Sequence, residues 1–251
     1  MARIAGNLFA SVRVAAGVKI EIWSDIACPW CYIGLNRFQQ ALDGFAHRDR
    51  VSVRLRSFQL DPTLPESFDG SEAEYLAASK GLDVSRASAM MSQVAAVGTA
   101  DGLPFDFDAL AVANSRRAHR LLHLAQRQDP SGATAWALKK ALFTAHFAEG
   151  KSIWDEDVLR ELAASIGLSD LAELDSEEVD AEVGADIVQA GRLGIRAVPT
   201  FVFADKYGVS GAQPVEAFTE AIEQVWNELN PKPLITLAAG SDNPSCGIDG
   251  C

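Results

Sequence analysis

Four cysteines, grouped in two close pairs, are the residues of this chain best suited to chemistry. The first pair is Cys28 and Cys31, separated by two residues, and the second pair is Cys246 and Cys251, separated by four. A pair with two intervening residues, placed where a strand passes into a helix, is typical of redox-active dithiols. The first pair therefore predicts thiol–disulfide exchange.

Pro29 indicates how the two sulfurs of the first pair divide this chemistry. Proline suits the first position of a helix, because its missing N–H would have no partner there, and this places Cys28 at the N-cap. Unpaired backbone N–H groups and the positive end of the helix dipole favour a thiolate at that position. Cys31 follows one turn later on the same face. We therefore expect Cys28 to attack disulfides and Cys31 to resolve the mixed disulfide.

Two carboxylates, Asp25 and Glu21, precede the pair on the predicted first strand. Either could exchange a proton with the resolving thiol, but both are equally well explained as ordinary polar residues near a strand end. Between the cysteines, Trp30 brings no charge to the thiolate. Its neutrality favours a moderate reduction potential, which suits reduction and isomerisation of disulfides.

Hydrophobic periodicity predicts the elements that position the cysteines. Strands are expected at 19–25, 51–60, 198–204 and around Val209. A helix is expected after Cys31, and a last helix lies between Pro214 and Pro231. Between the two groups of strands only helix signals occur, such as the capping box Ser71-x-x-Glu74.

These elements predict an α/β fold with a mixed sheet and a large all-helical insertion. Within the insertion, helices are expected at about 108–128, 134–148, 155–166 and 176–192. The expected parts are an N-terminal extension at 1–17, an α/β domain split between 18–65 and 194–229, an inserted helical domain at 66–193, and an irregular tail at 230–251.

Composition and charge argue against several classes of protein. The 251 residues are 48% hydrophobic and 22% charged, as in ordinary globular proteins. The 34 acidic and 22 basic side chains give a net charge of −12, which repels nucleic-acid phosphates and anionic membranes. The acidic segment at 169–186 predicts a solvated surface. No run of apolar residues is long enough for a membrane span.

The extension at 1–17 bears on where the protein acts. Its short apolar run with Arg3 and Arg13 resembles a weak secretory signal, but Arg13 stands where a cleavage site should be small and neutral. An extension ahead of a domain that begins near Val18 explains it better. Two cysteine pairs are also too few for a secreted disulfide framework of this length, so we expect a cytoplasmic protein.

Three segments carry a resemblance to a known family: Ile22-Trp-Ser-Asp-Ile-Ala-Cys-Pro-Trp-Cys31, Asn114-Ser-Arg-Arg-Ala-His-Arg-Leu121 and Val198-Pro-Thr-Phe201. Together they resemble the FrnE-like branch of the DsbA family of thiol–disulfide oxidoreductases. The resemblance implies a thioredoxin-like fold with a helical insertion, Cys28 as nucleophile and Cys31 as resolving thiol. It also implies that Pro199 is a cis-proline facing the disulfide, and that the Val198 backbone binds an extended substrate peptide.

The expected function is therefore that of a protein disulfide oxidoreductase and isomerase, active in thiol stress and needing no cofactor. Pro29, Trp30, Val198 and Pro199 are expected to bind the substrate. Disulfide-containing or unfolded proteins are the expected clients, and glutathione or a thioredoxin-type protein could supply electrons. No nucleic-acid or membrane partner is expected.

The tail pair, Cys246 and Cys251, allows two interpretations. Gly247 and Gly250 give the backbone freedom to bring this dithiol to another site, so an electron relay between the two pairs is one hypothesis. A static disulfide, or two idle thiols, is the other.

Three other functions fit parts of the sequence. His119 and His123 stand four residues apart and, with the cysteines, could bind zinc, although the second pair lacks the spacing of a zinc ribbon and no metal site is expected. Glutathione-dependent isomerases and kappa-class transferases of the same fold typically carry a serine where Cys28 stands. A holdase chaperone would use Met90 and Met91, although methionines at helical spacing more often belong to a core.

Overall fold

A central strand buried on both faces organises residues 16–232, the part of the chain that the computed structural model describes. The strands are β1 (Val18–Ser24), β2 (Val51–Ser57), β3 (Thr200–Phe203) and β4 (Tyr207–Ser210). The helices are α1 (Pro29–Gly44), α2 (Glu72–Lys80), α3 (Val84–Ala100), α4 (Arg116–Gln128), α5 (Ala133–Phe147), α6 (Glu156–Ser165), α7 (Glu177–Arg192) and α8 (Val215–Leu229).

The four strands form one mixed sheet in the order β2-β1-β3-β4. β1 runs parallel to β2 and antiparallel to β3, which pairs antiparallel with β4. In this register Ile22 lies between Leu55 of β2 and Phe201 of β3. A parallel pair joined through a helix, with an antiparallel hairpin beside it, is the arrangement that the sequence predicts. The predicted fold class is confirmed.

Helices cover both faces of the sheet. On one face Phe38 of α1 and Phe218 of α8 pack against Phe201, with ring centroids 5.2 and 4.6 Å away. On the other face the indole of Trp23 donates a hydrogen bond of 3.1 Å to the carbonyl of Asp186 in α7. Successive side chains of a strand point to opposite faces, so β1 contacts both layers and ends at the cysteine pair.

The helices from α4 to α6 share a core with the sheet, whereas α2 and α3 bury a smaller apolar cluster of their own. Tyr32 of α1 stacks on Phe143 and Phe147 of α5, with ring centroids 5.1 and 6.1 Å apart. One buried apolar cluster runs through both parts of the chain. α7 also packs on β2, through Asp186. The domain boundaries at 66 and 193 stay predictions.

α4 begins later than predicted, at Arg116 rather than near 108. The backbone before it pairs elsewhere, because Ala113 forms an isolated β-bridge with Ser67. The side chain of Asn114 then accepts a hydrogen bond of 2.8 Å from the Arg116 N–H, which satisfies the first turn. The predicted start is therefore wrong, and β2 and β3 are also shorter than predicted.

The acidic segment that includes α7 lies against the arginines of α4 rather than forming only a solvated surface. Arg116 and Arg120 both pair with Asp180, and Arg127 pairs with Glu182 at 2.7 Å. Single exposed pairs of this kind contribute little stability. Their matching rows nevertheless orient α7 along α4.

Two predicted parts lie largely outside the described residues. They are the extension at 1–17, of which only the end is described, and the tail, which includes Cys246 and Cys251. Within 16–232, every helix is too short or too polar to span a bilayer.

Candidate active site

The first cysteine pair lies at the N-terminus of α1, directly after β1. Cys28 is the N-cap residue and Pro29 occupies the first turn, as predicted. Both cysteines carry free thiols. Cys28 is 5% exposed and lines a cavity, whereas Cys31 is fully buried and does not line it, so a reaction partner can approach Cys28 but not Cys31.

The Cys28 thiol faces the loop before β3. Its Sγ donates a hydrogen bond to the carbonyl of Val198, 3.8 Å away, and the Val198–Pro199 peptide bond is cis. No helix N–H donates to Sγ, so the expected capping of this sulfur by backbone N–H groups is not observed. The fold thus brings Cys28, Val198 and Pro199 together from distant parts of the sequence.

Gly34 allows α1 to approach this loop closely. A Cβ atom at position 34 would lie 2.7 Å from Cγ of Pro199 and 3.3 Å from Cα of Ala212. Packed carbon atoms do not come that close. The absence of a side chain at Gly34 therefore sets the distance between the cysteine helix and the proline.

The buried Cys31 thiol is difficult to ionise. Burial raises the pKa of Cys31 well above its usual 9.0, and the hydrogen bond with Cys28 adds to this effect. The positive charge of Lys139, on α5, acts in the opposite direction. A resolving thiol in this position needs a group that lowers the cost of forming its thiolate.

Asp25 lies beneath the pair and is 1% exposed. One carboxylate oxygen accepts the N–H of Leu60 at 2.7 Å, and the other lies 3.2 Å from Nε2 of His119. Burial alone raises the pKa of Asp25, but hydrogen bonds from His119, Ser115 and Leu60 outweigh it, and the pKa is lowered. Such a carboxylate is a weak acceptor for the Cys31 proton, so Asp25 serves as a fixed negative charge.

Glu21, the other candidate carboxylate, does not reach the cysteine pair. It forms ion pairs with Arg56 and with Lys19, the latter at 2.9 Å. These contacts lie at the face of the sheet covered by α7, where Arg56 also pairs with Asp186 at 2.7 Å. The hypothesis that Glu21 exchanges a proton with Cys31 is therefore wrong.

The two histidines considered as zinc ligands have separate partners. His119 faces Asp25, whereas Nε2 of His123 lies 3.2 Å from Asp186 and its Nδ1 lies 3.1 Å from Glu182. Across residues 16–232, no three or more His, Cys, Asp or Glu side chains form a group suited to a metal ion.

A cavity of about 460 Å³ opens beside Cys28, between α1 and the pair α2 and α3. Its apolar lining includes Leu64, Leu76, Met90, Met91, Val94 and Phe107. Its titratable lining residues include Glu72 and His146. Burial raises the pKa of Glu72 to about 7 and lowers the pKa of His146 to about 4. At neutral pH this histidine is therefore uncharged, and the cavity is largely apolar.

The sequence model of the DSBA-like thioredoxin domain family matches residues 19–223. The chain belongs to this DsbA-like family. The crystal structure of a probable DsbA oxidoreductase, SCO1869 from Streptomyces coelicolor, is 40% identical, covers 93% of this chain and 98% of that chain, and superposes with a TM-score of 0.77.

More distant relatives are similar in structure or in sequence. Cytosolic disulfide reductase DsbM from Pseudomonas aeruginosa is 20% identical over 82% of this chain and 97% of that chain, with a TM-score of 0.57. The uncharacterized protein YwbO of Bacillus subtilis is 25% identical and spans 82% of this chain and 96% of its own length. The DsbA-like chain is thus a thiol–disulfide oxidoreductase with a thioredoxin fold and a helical insertion. Its place in the FrnE-like branch stays a prediction.

Sequence reasoning missed two buried groups of this DsbA-like site. Lys139 and His146 are 1% and 2% exposed, and they stand seven residues apart on α5. Leu142 and Phe143 lie between them on the same face, at the spacing of a buried helix stripe. The available signal was a lysine at a position of the apolar stripe. The adjacent Lys140, which is exposed, makes the two residues resemble an ordinary solvent-facing lysine pair.

Proposed function

We propose that this DsbA-like protein reduces and isomerises disulfides of other proteins, with Cys28 attacking and Cys31 resolving. The positions of the two cysteines carry the proposal, because Cys28 lines the cavity and Cys31 does not. Cys28 is 5% exposed beside the Val198 carbonyl, whereas Cys31 is fully buried. A client disulfide can reach the first sulfur but not the second, so the order of the two steps follows.

Reduction proceeds in two exchanges. The Cys28 thiolate first attacks a client disulfide, and one client sulfur leaves with the electron pair and takes up a proton. The Cys31 thiolate then attacks Sγ of Cys28, which releases the second client sulfur and leaves a Cys28–Cys31 disulfide. When another client cysteine attacks the mixed disulfide instead, the client's disulfides are rearranged without net oxidation.

Val198 supplies a place for the client backbone. Its carbonyl already faces Cys28, so an extended client segment could pair with the Val198 main chain while its disulfide reaches the thiolate. Pro29 and Trp30 border Cys28 on the helix side, and the Trp30 side chain is 40% exposed. Main-chain pairing depends little on client sequence, which suits an enzyme with many protein clients.

The cavity beside Cys28 favours proteins over small thiols as clients. Its lining is mostly apolar, and the exposed side chains of Leu60 and Met90 extend it outward. An unfolded protein can fill such a space with a bulky apolar side chain. Glutathione has no such group, so we assign it the role of reductant, alone or with a thioredoxin-type protein. A structure of DsbM from Pseudomonas aeruginosa was solved with glutathione.

The proposed direction is reduction and isomerisation in the cytoplasm, including repair after thiol stress. Trp30 adds no positive charge beside Cys28, which disfavours a strongly oxidising pair. Similarity in fold to a cytosolic disulfide reductase is consistent with this setting.

The decisive experiment compares single cysteine variants in turnover of a protein disulfide. Cys28→Ser should abolish turnover, because no accessible thiolate remains. Cys31→Ser should instead trap a mixed disulfide at Cys28 that mass spectrometry can map. Turnover retained by Cys28→Ser would refute the proposal. Titration of the Cys28–Cys31 pair in glutathione buffers tests the direction, since a midpoint near that of a strong oxidant would indicate an oxidase.

The second pair is proposed to pass electrons to the first. Cys246 and Cys251 lie outside the described residues, and the proposal rests on their spacing and on the neighbouring glycines. Cys246→Ser should leave single-turnover attack by Cys28 unchanged and slow recycling by glutathione. Equal recycling rates in this variant and the unmodified enzyme would mean that the tail thiols are idle.

A further inference from the structure

Lys139 is a buried cation behind the cysteine pair, contributed by the helical insertion. The residue is 1% exposed, and its Nζ lies 5.1 Å from the centre of the Phe143 ring. The Phe143 ring in turn stacks on Tyr32, the residue after Cys31, with ring centroids 5.1 Å apart. Within residues 16–232, no carboxylate oxygen lies within 4.0 Å of this Nζ. Burial of an ammonium without an ion-pair partner is strongly unfavourable.

The negative charges that act on Lys139 all belong to the cysteine site. They come from Cys31, Asp25 and Cys28, with Cys31 exerting the largest influence. His119 also faces this cluster, but burial lowers its pKa and it adds no positive charge at neutral pH. Lys139 is therefore the cation that the cluster's anions share.

Lys139 keeps its charge under working conditions. Burial lowers its pKa to about 8, which still leaves most of the side chain protonated at pH 7. When both cysteines are protonated thiols, the negative charge of Asp25 and the positive charge of Lys139 cancel. When a thiolate forms, a second negative charge enters a site that is shielded from water, where an unscreened cation has a large effect.

We propose that the Lys139 ammonium is the counter-charge of the Cys31 thiolate and thereby sets the rate at which Cys31 resolves the mixed disulfide. The inference rests on the proposed function. In this step the Cys31 thiol gives its proton to solvent, and its electron pair forms the bond to Sγ of Cys28. The bond between Cys28 and the client sulfur breaks, and that sulfur leaves with the electron pair and takes up a proton. The client is reduced and the two cysteines are oxidised, so no further reductant is needed.

The positive charge of the site lies outside the Cys28–Cys31 segment. The dipeptide between the cysteines, Pro29 and Trp30, carries no charge, and on that basis the thiolates lack a cationic partner. The structure places one behind the resolving cysteine rather than between the two. It comes from α5, so the insertion contributes to the chemistry as well as to the cavity.

The test compares Lys139→Met with Lys140→Met. The first removes the buried charge and keeps a side chain of similar length, and the second removes the charge of the exposed neighbour on the same helix. The measured quantity is the decay of the Cys28 mixed disulfide with a peptide, followed by acid quenching and mass spectrometry. We expect decay at pH 7 to slow at least tenfold in Lys139→Met and less than twofold in Lys140→Met. The slowing should exceed any effect on formation of the mixed disulfide.

The pH profile separates charge from packing. The decay rate of the mixed disulfide rises with pH as the Cys31 thiolate forms. Loss of the cation should move this rise to higher pH by about one unit or more, because one pH unit corresponds to a tenfold change in the thiolate fraction. Lys139→Arg, which keeps the positive charge, should reverse part of this shift. Thermal unfolding of the oxidised form of each variant confirms that it is folded. If Lys139→Met does not fold, Lys139→Gln replaces it in the same measurements. If the folded Lys139 and Lys140 variants show equal decay rates and equal pH profiles, the role of Lys139 is refuted while the proposed function stands. If no mixed disulfide forms at Cys28 in the unmodified enzyme, the proposed function fails with it.

Discussion

His119 Nε2 lies 3.2 Å from Oδ1 of Asp25 in a contact that is 1% and 2% exposed on its two sides. The two residues are 94 positions apart in the sequence, and the contact joins the end of β1 to α4. It keeps the Asp25 carboxylate hydrogen-bonded and charged although the residue is almost fully buried. The buried charge beneath the cysteines is thus held by both the sheet and the insertion.

Asp25→Asn should destabilise the protein through Lys139. The substitution keeps the shape of the side chain but removes the negative charge that balances the buried ammonium, at a cost of about 2–4 kcal/mol. In the double variant Asp25→Asn with Lys139→Met, the loss in free energy of unfolding should be smaller than the sum of the losses in the two single variants. The difference, which is the coupling free energy, should be about 1 kcal/mol or more. Urea unfolding measures both. The control is Asp25→Asn with Lys140→Met, where the two effects should simply add.

His146 should make the protein sensitive to mild acid. Burial lowers its pKa to about 4 from the ordinary 6.5, so below pH 6.5 the unfolded chain takes up a proton that the folded chain refuses. The associated stability is complete above pH 6.5 and is lost as the pH falls to about 4, a loss of about 3 kcal/mol. His146→Phe should reduce the pH dependence of the free energy of unfolding over this range. The same substitution at the exposed His47 should leave that dependence unchanged. If the free energy of unfolding depends on pH in the same way in both variants, the assignment to His146 is wrong.

Gly34→Ala should disturb the active site more than the fold. The added methyl group would meet Cγ of Pro199 at 2.7 Å, which forces the loop with Val198 away from Cys28. We expect a loss of stability of about 1–3 kcal/mol and a larger proportional fall in disulfide turnover. Gly44→Ala is the matched control at the other end of α1, since no atom lies within 4 Å of its added Cβ. Unchanged turnover in Gly34→Ala would show that the Pro199 contact does not position the site.

Local sequence signals predicted the parts of the site that are local. Pro29 marked the helix start and placed Cys28 at the N-cap, because both effects act within one turn. The run at 198–204 marked β3, although pairing with β1 and β4 involves only its middle. The helix start and the strand β3 are determined mainly by residues adjacent in the sequence, so local sequence patterns can predict them.

The long-range parts of the site could not be predicted in the same way. The spacing of His119 and His123 indicated one helix face, but their carboxylate partners come from β1 and α7, and only the tertiary fold pairs them. The apolar stripe of α5 marks Lys139, rather than the adjacent Lys140, as the lysine on the buried face. That this face packs against α1, beside the cysteine pair, follows only from tertiary aromatic packing such as that of Phe143 on Tyr32.

Glu72 should make client binding weaken above neutral pH. Its carboxyl lines the cavity and has a pKa of about 7, raised by burial, so it is neutral below that pH and charged above it. A bulky apolar side chain that fills the cavity covers this group further and therefore binds best to the neutral form. Between pH 6 and pH 8 the dissociation constant should rise by up to about tenfold. Anisotropy of a labelled apolar peptide, with Cys28→Ser to prevent exchange, measures the effect. Glu72→Gln should remove the pH dependence and Glu66→Gln, at an exposed carboxylate on the neighbouring loop, should retain it. An equal pH dependence in the Glu72→Gln variant would mean that the client side chain does not enter this cavity.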